Sequence, residues 1–359
     1  MMPATPLGML FKGAIATSLL PLPLLLITSV VQLAVARPVP VPSLDVPALT
    51  RDASLIVVGQ VISVQEGERG NYEIREHVRP ARRMQASLRV DRALKGETGS
   101  ELSFMFLLPD QPVGYQGVAD AQFGMFFFRS GADGLTFASP YYPFIVATPQ
   151  DCKAAGNPLE RVVAELACVL DSFQATTRER AEAISALGSV KTTQASEALR
   201  RAAKEMPNPL NLLAACALLQ RDNISALPLV EEHLHYSSST LITDEGYYRG
   251  VNLADALGHI KDKSAIPTLS RLIEFQDAQT RRGTARALRN IGTEEAIPPL
   301  AKALYDDDWE VRWLAVMGLA GITGQSRFYP SYDAFKQNEQ WYLSHWRAWA
   351  QKRGRARTQ

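Results

Sequence analysis

One dipeptide position in this chain returns at a fixed interval: Ala186-Leu187, Ala217-Leu218, Ala256-Leu257, Ala287-Leu288 and Gly318-Leu319, spaced by 31, 39, 31 and 31 residues. The single 39 is a 31-residue step with eight residues added, and the polar stretch His235 to Gly246 supplies the place for them. Two more markers keep the same phase. Pro228, Pro267 and Pro298 differ by 39 and 31, and Asp277 with Arg281 returns 31 residues later as Asp308 with Arg312. Three markers on one period identify an array of repeated units, each too small to bury its apolar side unless it leans on a neighbour. A single globule with strands through its centre is the arrangement that would contradict this expectation for the carboxyl-terminal half.

Each unit predicts two helices. The first opens near proline, as in Ala296-Ile297-Pro298-Pro299-Leu300, where a missing N–H costs nothing in a first turn. The second resembles Asp-x-x-x-Arg-x-x-Ala-x-x-x-Leu, with small Ala or Gly allowing close helix approach. These residues resemble the HEAT repeat, in the short form of the phycobilisome-lyase class, over about residues 175 to 325. The resemblance implies an α-solenoid of HEAT-like repeats and places Asp277, Arg281, Asp308 and Arg312 in its inter-repeat ladder, a structural role. Thr176 stands where Asp belongs, and Asn211 and Gly250 stand where Arg belongs, so the ladder is incomplete in the first three units. Lyase chemistry is not carried over, because the repeat also occurs in noncatalytic proteins.

Upstream the period changes. Leu55 to Val64, Gln85 to Val90, Glu101 to Leu108, Gln122 to Arg129 and Leu135 to Ala138 read as short strands between Gly and Pro turns. Five of them predict a small antiparallel barrel or sandwich, with Gly59 marking a bulge or tight bend. The polar stretch Glu66 to Arg83, with Arg79, Arg82 and Arg83, reads as a mobile loop. The segments DASLIVVGQVISV and LRVDRALKGETGSELSF, with Leu94-Lys95-Gly96 between strands, resemble exported bacterial domains related to tissue inhibitors of metalloproteinases. That resemblance implies an OB-like barrel. The N-terminal Cys-x-Cys of true inhibitors has no match, so inhibition does not follow from it.

Both ends carry their own signals. Gly13 to Ala36 is uncharged, follows Lys12 and closes on Ala34-Val35-Ala36, the pattern of a secretory signal peptide cleaved before Arg37. A retained membrane anchor is the alternative, since the run is long enough to cross a bilayer. Cys152, Cys168 and Cys216 are an odd number for an oxidising compartment. Either Cys152 and Cys168 bridge, if the segment before Pro158 folds back along the next helix, or all three are buried apolar side chains. At the other end, Phe328-Tyr329-Pro330 breaks the last repeat and Glu339 to Gln351 forms an amphipathic helix with Trp341, Trp346 and Trp349, read as the cap a solenoid requires. Beyond it Lys352, Arg353, Arg355 and Arg357 read as a solvated tail, with anionic lipid headgroups as its alternative partner.

The expected fold is therefore α+β and multidomain: signal peptide 1–36, Pro-rich linker 37–48, small antiparallel β-barrel 49–150, HEAT-like α-solenoid 158–327, Trp-rich cap 328–351 and basic tail 352–359. Without its leader the chain has 37 basic against 37 acidic side chains, a balance that argues against nucleic acid as partner. No Gly-rich phosphate loop, nucleophile elbow, HExxH or CxxC pair is present. His233 and His235 diverge on a helix, and Asp306-Asp307-Asp308 reads as a helix cap. The expectation is an exported, noncatalytic scaffold without a cofactor that binds another protein. Its concave face would present Arg282, Arg286, Trp313 and Met317, with Tyr247 and Tyr248 as a second contact. A hydrolase or protease-inhibitor activity in the β-domain is the alternative.

Overall fold

The computed structural model describes residues 41–74, 77–111, 114–131, 133–152, 155–236 and 253–357. The leader 1–36, most of the insertion at 235–246, Gly250, and both Tyr247 and Tyr248 lie outside the described residues. The first helix, α1 (Val46–Asp52), starts where Asp45 accepts a hydrogen bond from the Ala48 N–H and Pro47 occupies the first turn. Helix therefore begins three residues inside the stretch expected to be linker, because a proline run that ends on Asp-Val-Pro supplies a cap.

The sheet contains β1 (Leu55–Ile74), β2 (His77–Lys95), β3 (Glu101–Pro109), β4 (Phe123–Gly131) and β5 (Gly134–Phe137), in the order β3-β2-β1-β4-β5, all antiparallel. A two-residue strand, β6 (Phe144–Ile145), pairs with β4. The uninterrupted runs LIVV and MFFF pair centrally, Leu55 with Phe128 through Val58 with Met125. Alternate residues supply opposite faces: Ile56, Val58, Met125 and Phe127 join the helical core, while Leu55, Val57, Phe126 and Phe128 form a second cluster with Leu88, Phe104 and Phe137. Burial on both faces explains why these strands lack polar alternation.

The expected barrel does not close. Its edges are β3 and β5, and what joins them is ring contact rather than a ladder: Phe104 and Phe106 lie 5.0 and 5.3 Å from Phe137 between centroids. A cleft of about 220 Å³ lined by Arg83, Met105, Leu107 and Leu135 occupies the gap. A β5 of four residues offers too little strand to complete the ladder.

The expected mobile loop at 66–83 is instead the far half of the β1–β2 hairpin, paired from Ile56 with Lys95 out to Ile74 with His77. Most of this arm is exposed on both faces, so no hydrophobic alternation announces it. Main-chain pairing holds it, with a cross-strand contact from Arg82 to Glu66 (3.3 Å), an ion pair from Arg69 to Asp110 just beyond β3 (2.5 Å), and a small tip cluster of Ile74 and Ala81. The register shifts between Val58 and Gly59, where a Cβ would run into the Arg89 carbonyl oxygen, so Gly59 does mark a bulge.

After the sheet the chain is helical: α2 (Pro158–Asp171) and α3 (Thr177–Gly188), α4 (Thr193–Glu205) and α5 (Leu210–Leu219), α6 (Leu227–Tyr236) and α7 (Leu253–Leu257), α8 (Ile266–Leu272) and α9 (Ala278–Ile291), α10 (Ile297–Ala303) and α11 (Trp309–Thr323). Short 3-10 turns precede α6, α8 and α10. The second helix of each pair touches the second helix of the next, α3 to α5 to α7 to α9 to α11. Small residues allow close approach: a Cβ on Gly283 of α9 would meet the Ala254 carbonyl of α7, and one on Gly318 of α11 would meet Leu300 of α10 within the same pair.

Sheet and helices share one core that runs from Val46 and Ile56 through Leu187, Leu218 and Leu288 to Trp346. At their junction the Arg92 guanidinium donates to both oxygens of the fully buried Glu165 carboxylate (2.7 and 2.5 Å) and to the Thr148 carbonyl (2.8 Å). One turn further along α2, Cys168 is bridged to Cys152, whose segment folds back along that helix. Cys216 is free and buried, and burial first, then Asp255, pushes its thiol up to about 12.

The last helix, α12 (Tyr332–Arg357), is interrupted at Asn338 (φ −131°, ψ 31°). Phe335, Leu343 and Trp346 are fully buried against the array. The expected solvated tail continues this helix to Arg357; Lys352 and Arg355 are exposed, as expected, while Arg347 before it and Arg353 within it turn inward. Arg347 donates to the Leu304 carbonyl (2.7 Å) and Arg353 to Glu294 (2.8 Å), each stacked over a ring, Tyr305 and Trp349.

Candidate functional site

The site is built on the second helices, because they form a row in which each touches the next. Their N-termini are fixed by side-chain caps that the sequence repeats. Asp277 accepts from the Thr280 N–H (2.9 Å), Asp308 from the Glu310 and Val311 N–H groups (3.0 and 3.1 Å), and Thr176 takes the equivalent place on α3 through a capping box with Glu179. Thr for Asp at 176 is thus a change of cap, and it keeps the helix start.

The ladder runs between units. Arg281 donates to the Phe275 and Gln276 carbonyls (both 2.8 Å) behind it and to Asp306 of the next unit (2.7 and 2.9 Å). Arg312 repeats the geometry with the Asp306 and Asp307 carbonyls (2.7 and 2.8 Å) and with Glu339 of α12 (2.5 Å). Each arginine therefore closes its own interhelical turn and ties it to the succeeding unit or to the terminal helix. The Asp306 hydrogen bond raises the pKa of Arg281, with burial opposing.

Of the four residues expected to face a partner, Arg282 donates to Asp308 (2.9 and 2.5 Å) and reaches Glu310 (3.3 Å). Arg286 contacts Asp255 (3.1 Å) and Glu310 (3.8 Å). Asp255 also faces His259 at 3.8 Å. A chain of alternating charge, Asp255–Arg286–Glu310–Arg282–Asp308, thus crosses from α7 over α9 to the N-terminal end of α11. The Arg282 hydrogen bond is the main reason the Asp308 carboxyl sits below its usual range. Met317, one turn beyond Trp313, is buried and offers no surface. Trp313 is half-buried, with its ring 5.8 Å from Tyr332 and its indole N–H buried without an acceptor.

A second feature was not legible in the chain order. A cleft of about 740 Å³ opens between the sheet and α3. Phe123, Tyr142, Phe144 and Ile145 line one wall, and Arg178, Glu182 and Ser185 the other. Tyr142 donates its hydroxyl to the Pro42 carbonyl (2.6 Å), and burial raises its pKa. Its walls lie more than thirty residues apart in sequence, and neither carries a motif. The aromatic density of 123–144 was the available signal. Among the described residues no group of three His, Cys, Asp or Glu could hold a metal ion. His233 is pushed down by burial and His235 packs edge-on to Phe275 (5.6 Å), so the pair is divided between environments.

Paired helices whose second members form a row, tied by arginines that bridge consecutive turns, define a helical-repeat protein. A family model described as HEAT repeats matches residues 239–320, the part of the chain that holds α7 to α10, most of α11 and both arginine repeats. Among curated proteins none matches the chain.

Proposed function

We propose that this chain is an exported, noncatalytic scaffold whose short-repeat α-solenoid binds another protein along the row of second helices. The observation that carries the reading is the row itself: five second helices in contact, the last three of them joined by ion pairs on one face, with the sheet-side cleft at the α3 end. HEAT repeats are typically protein-interaction scaffolds, and an extended wall of helices suits a partner larger than a solute. Export is supported by the leader pattern ending at Ala36 and by the Cys152–Cys168 bridge, which persists in an oxidising compartment.

The charged row is well suited to test. Arg286 and Asp255 are both substantially exposed, so their pair contributes little to stability and can be changed without unfolding the array. Arg286→Glu in the row and Glu182→Lys at the cleft are expected to weaken an isolated partner about tenfold or more, measured on a biosensor with the full chain. Unchanged affinity in both variants, with melting curves equal to wild type, would sink the reading. An N-terminal sequence of the purified protein that does not begin at Arg37 would remove the cleaved leader from it.

A further inference from the structure

Trp309 and Trp313 are four residues apart on α11 and so share a face. Tyr332, the first residue of α12, meets both at nearly right angles, with centroids 5.0 and 5.8 Å away and interplanar angles of 86° and 82°. Into this corner the chain sends a cation. The Lys336 ammonium lies 4.9 Å over the Trp309 ring and 4.4 Å over the Tyr332 ring. Two aromatic faces thus converge on one positive charge beside a third ring.

We propose that Trp309, Trp313 and Tyr332 form an aromatic recognition site for an organic cation of the quaternary ammonium class, and that Lys336 is its resident stand-in. Lys336 forms no ion pair with a carboxylate among the described residues, whereas its neighbours are committed: Arg312 to Glu339 and Arg347 to the Leu304 carbonyl. It is also exposed, so its side chain is free to swing out into water. A primary ammonium is strongly hydrated and a poor guest for ring faces, while a quaternary ammonium sheds its water readily and is the cation such boxes favour. The resident side chain therefore holds the site open against collapse and yields it to a better guest. Tyr332 is 43% exposed, so the corner is reachable from solvent.

The test uses the full chain, with choline as probe and its uncharged carbon isostere 3,3-dimethylbutan-1-ol as control. The readout is the indole N–H signals of Trp309 and Trp313 in nitrogen-15 NMR. Choline is expected to shift both, and Lys336→Gln to bind it about tenfold more tightly than wild type. The alcohol should shift neither, and Tyr332→Leu should abolish the response while the protein stays folded, as read from its remaining amide signals. Nα-acetyl-lysine methylamide and its Nε-trimethyl derivative, run in parallel, separate a side chain borne by a polypeptide from a free solute. Silence of both indoles toward choline in Lys336→Gln, equal response to the alcohol, or an intact response in Tyr332→Leu overturns the proposal. The site does not rest on the scaffold reading: choline binding and partner affinity are read by different variants, and either can fail alone.

Discussion

A methyl group at position 283 has nowhere to go. Its Cβ would run into the backbone of Ala254 on α7, which cannot swing aside as a side chain would. Gly283→Ala gains about 1 kcal/mol of helix propensity yet is expected to lose more through overpacking, for a net loss of about 1–2 kcal/mol in urea unfolding. A stability equal to or above wild type would show that the two helices can part at no cost. His345 makes a prediction of another kind. It stacks on Phe328 and faces the Gln325 amide oxygen at 3.1 Å, and burial first, then the charge of Arg327, lowers its pKa below 6.5. With the folded value below the unfolded one, the stabilisation is complete above pH 6.5 and fades as the pH falls through the folded value. The melting temperature followed by tryptophan fluorescence should drop as the pH falls below 6.5, and His345→Gln should flatten that slope. An identical slope in the variant would assign the loss to other groups.

Among the elements, α9 and α11 were legible from spacing alone, because their caps, arginines and small residues recur on one period. The arm of β1 and β2 was not. A strand exposed on both faces carries no alternation, and only its pairing with β3 and its own return strand reveals it. Arg92 and Glu165 were equally hidden, being 73 residues apart and on different kinds of element. Their pair is the element-scale experiment. Arg92→Met leaves the Glu165 carboxylate buried without its partner and is expected to cost about 3–5 kcal/mol, while Arg92→Met with Glu165→Leu should recover most of that loss. A double variant as unstable as the single one would mean that the charges are required for more than each other.

At the scale of the molecule, the sheet and the helices are joined by a continuous apolar core, and the far end of that core is closed by α12. Ending the chain at 327 would remove Phe335, Leu343 and Trp346, all fully buried, and leave the α11 end of the array facing water. Repeat arrays transmit stability through neighbouring interfaces, so the loss should spread inward from α11. The shortened protein is expected to bind a hydrophobic dye and aggregate on concentration, and hydrogen exchange should quicken in α9 and α11 before α3. Uniform protection in all five pairs would show that the last helix is an appendage.

Periodicity is a local property repeated, and by itself it foretold the helical half: the paired helices and the Asp caps of α9 and α11 derive from one interval. Spatial convergence has no such trace. That the strands stop short of a closed barrel, that Arg281 reaches Asp306 while Arg282 takes Asp308, and that Trp309, Trp313 and Tyr332 surround Lys336 were decided by how separate elements pack. The reason is that burial and ion pairing depend on distances between residues far apart in the chain, and a linear order constrains those distances only after the elements have come together.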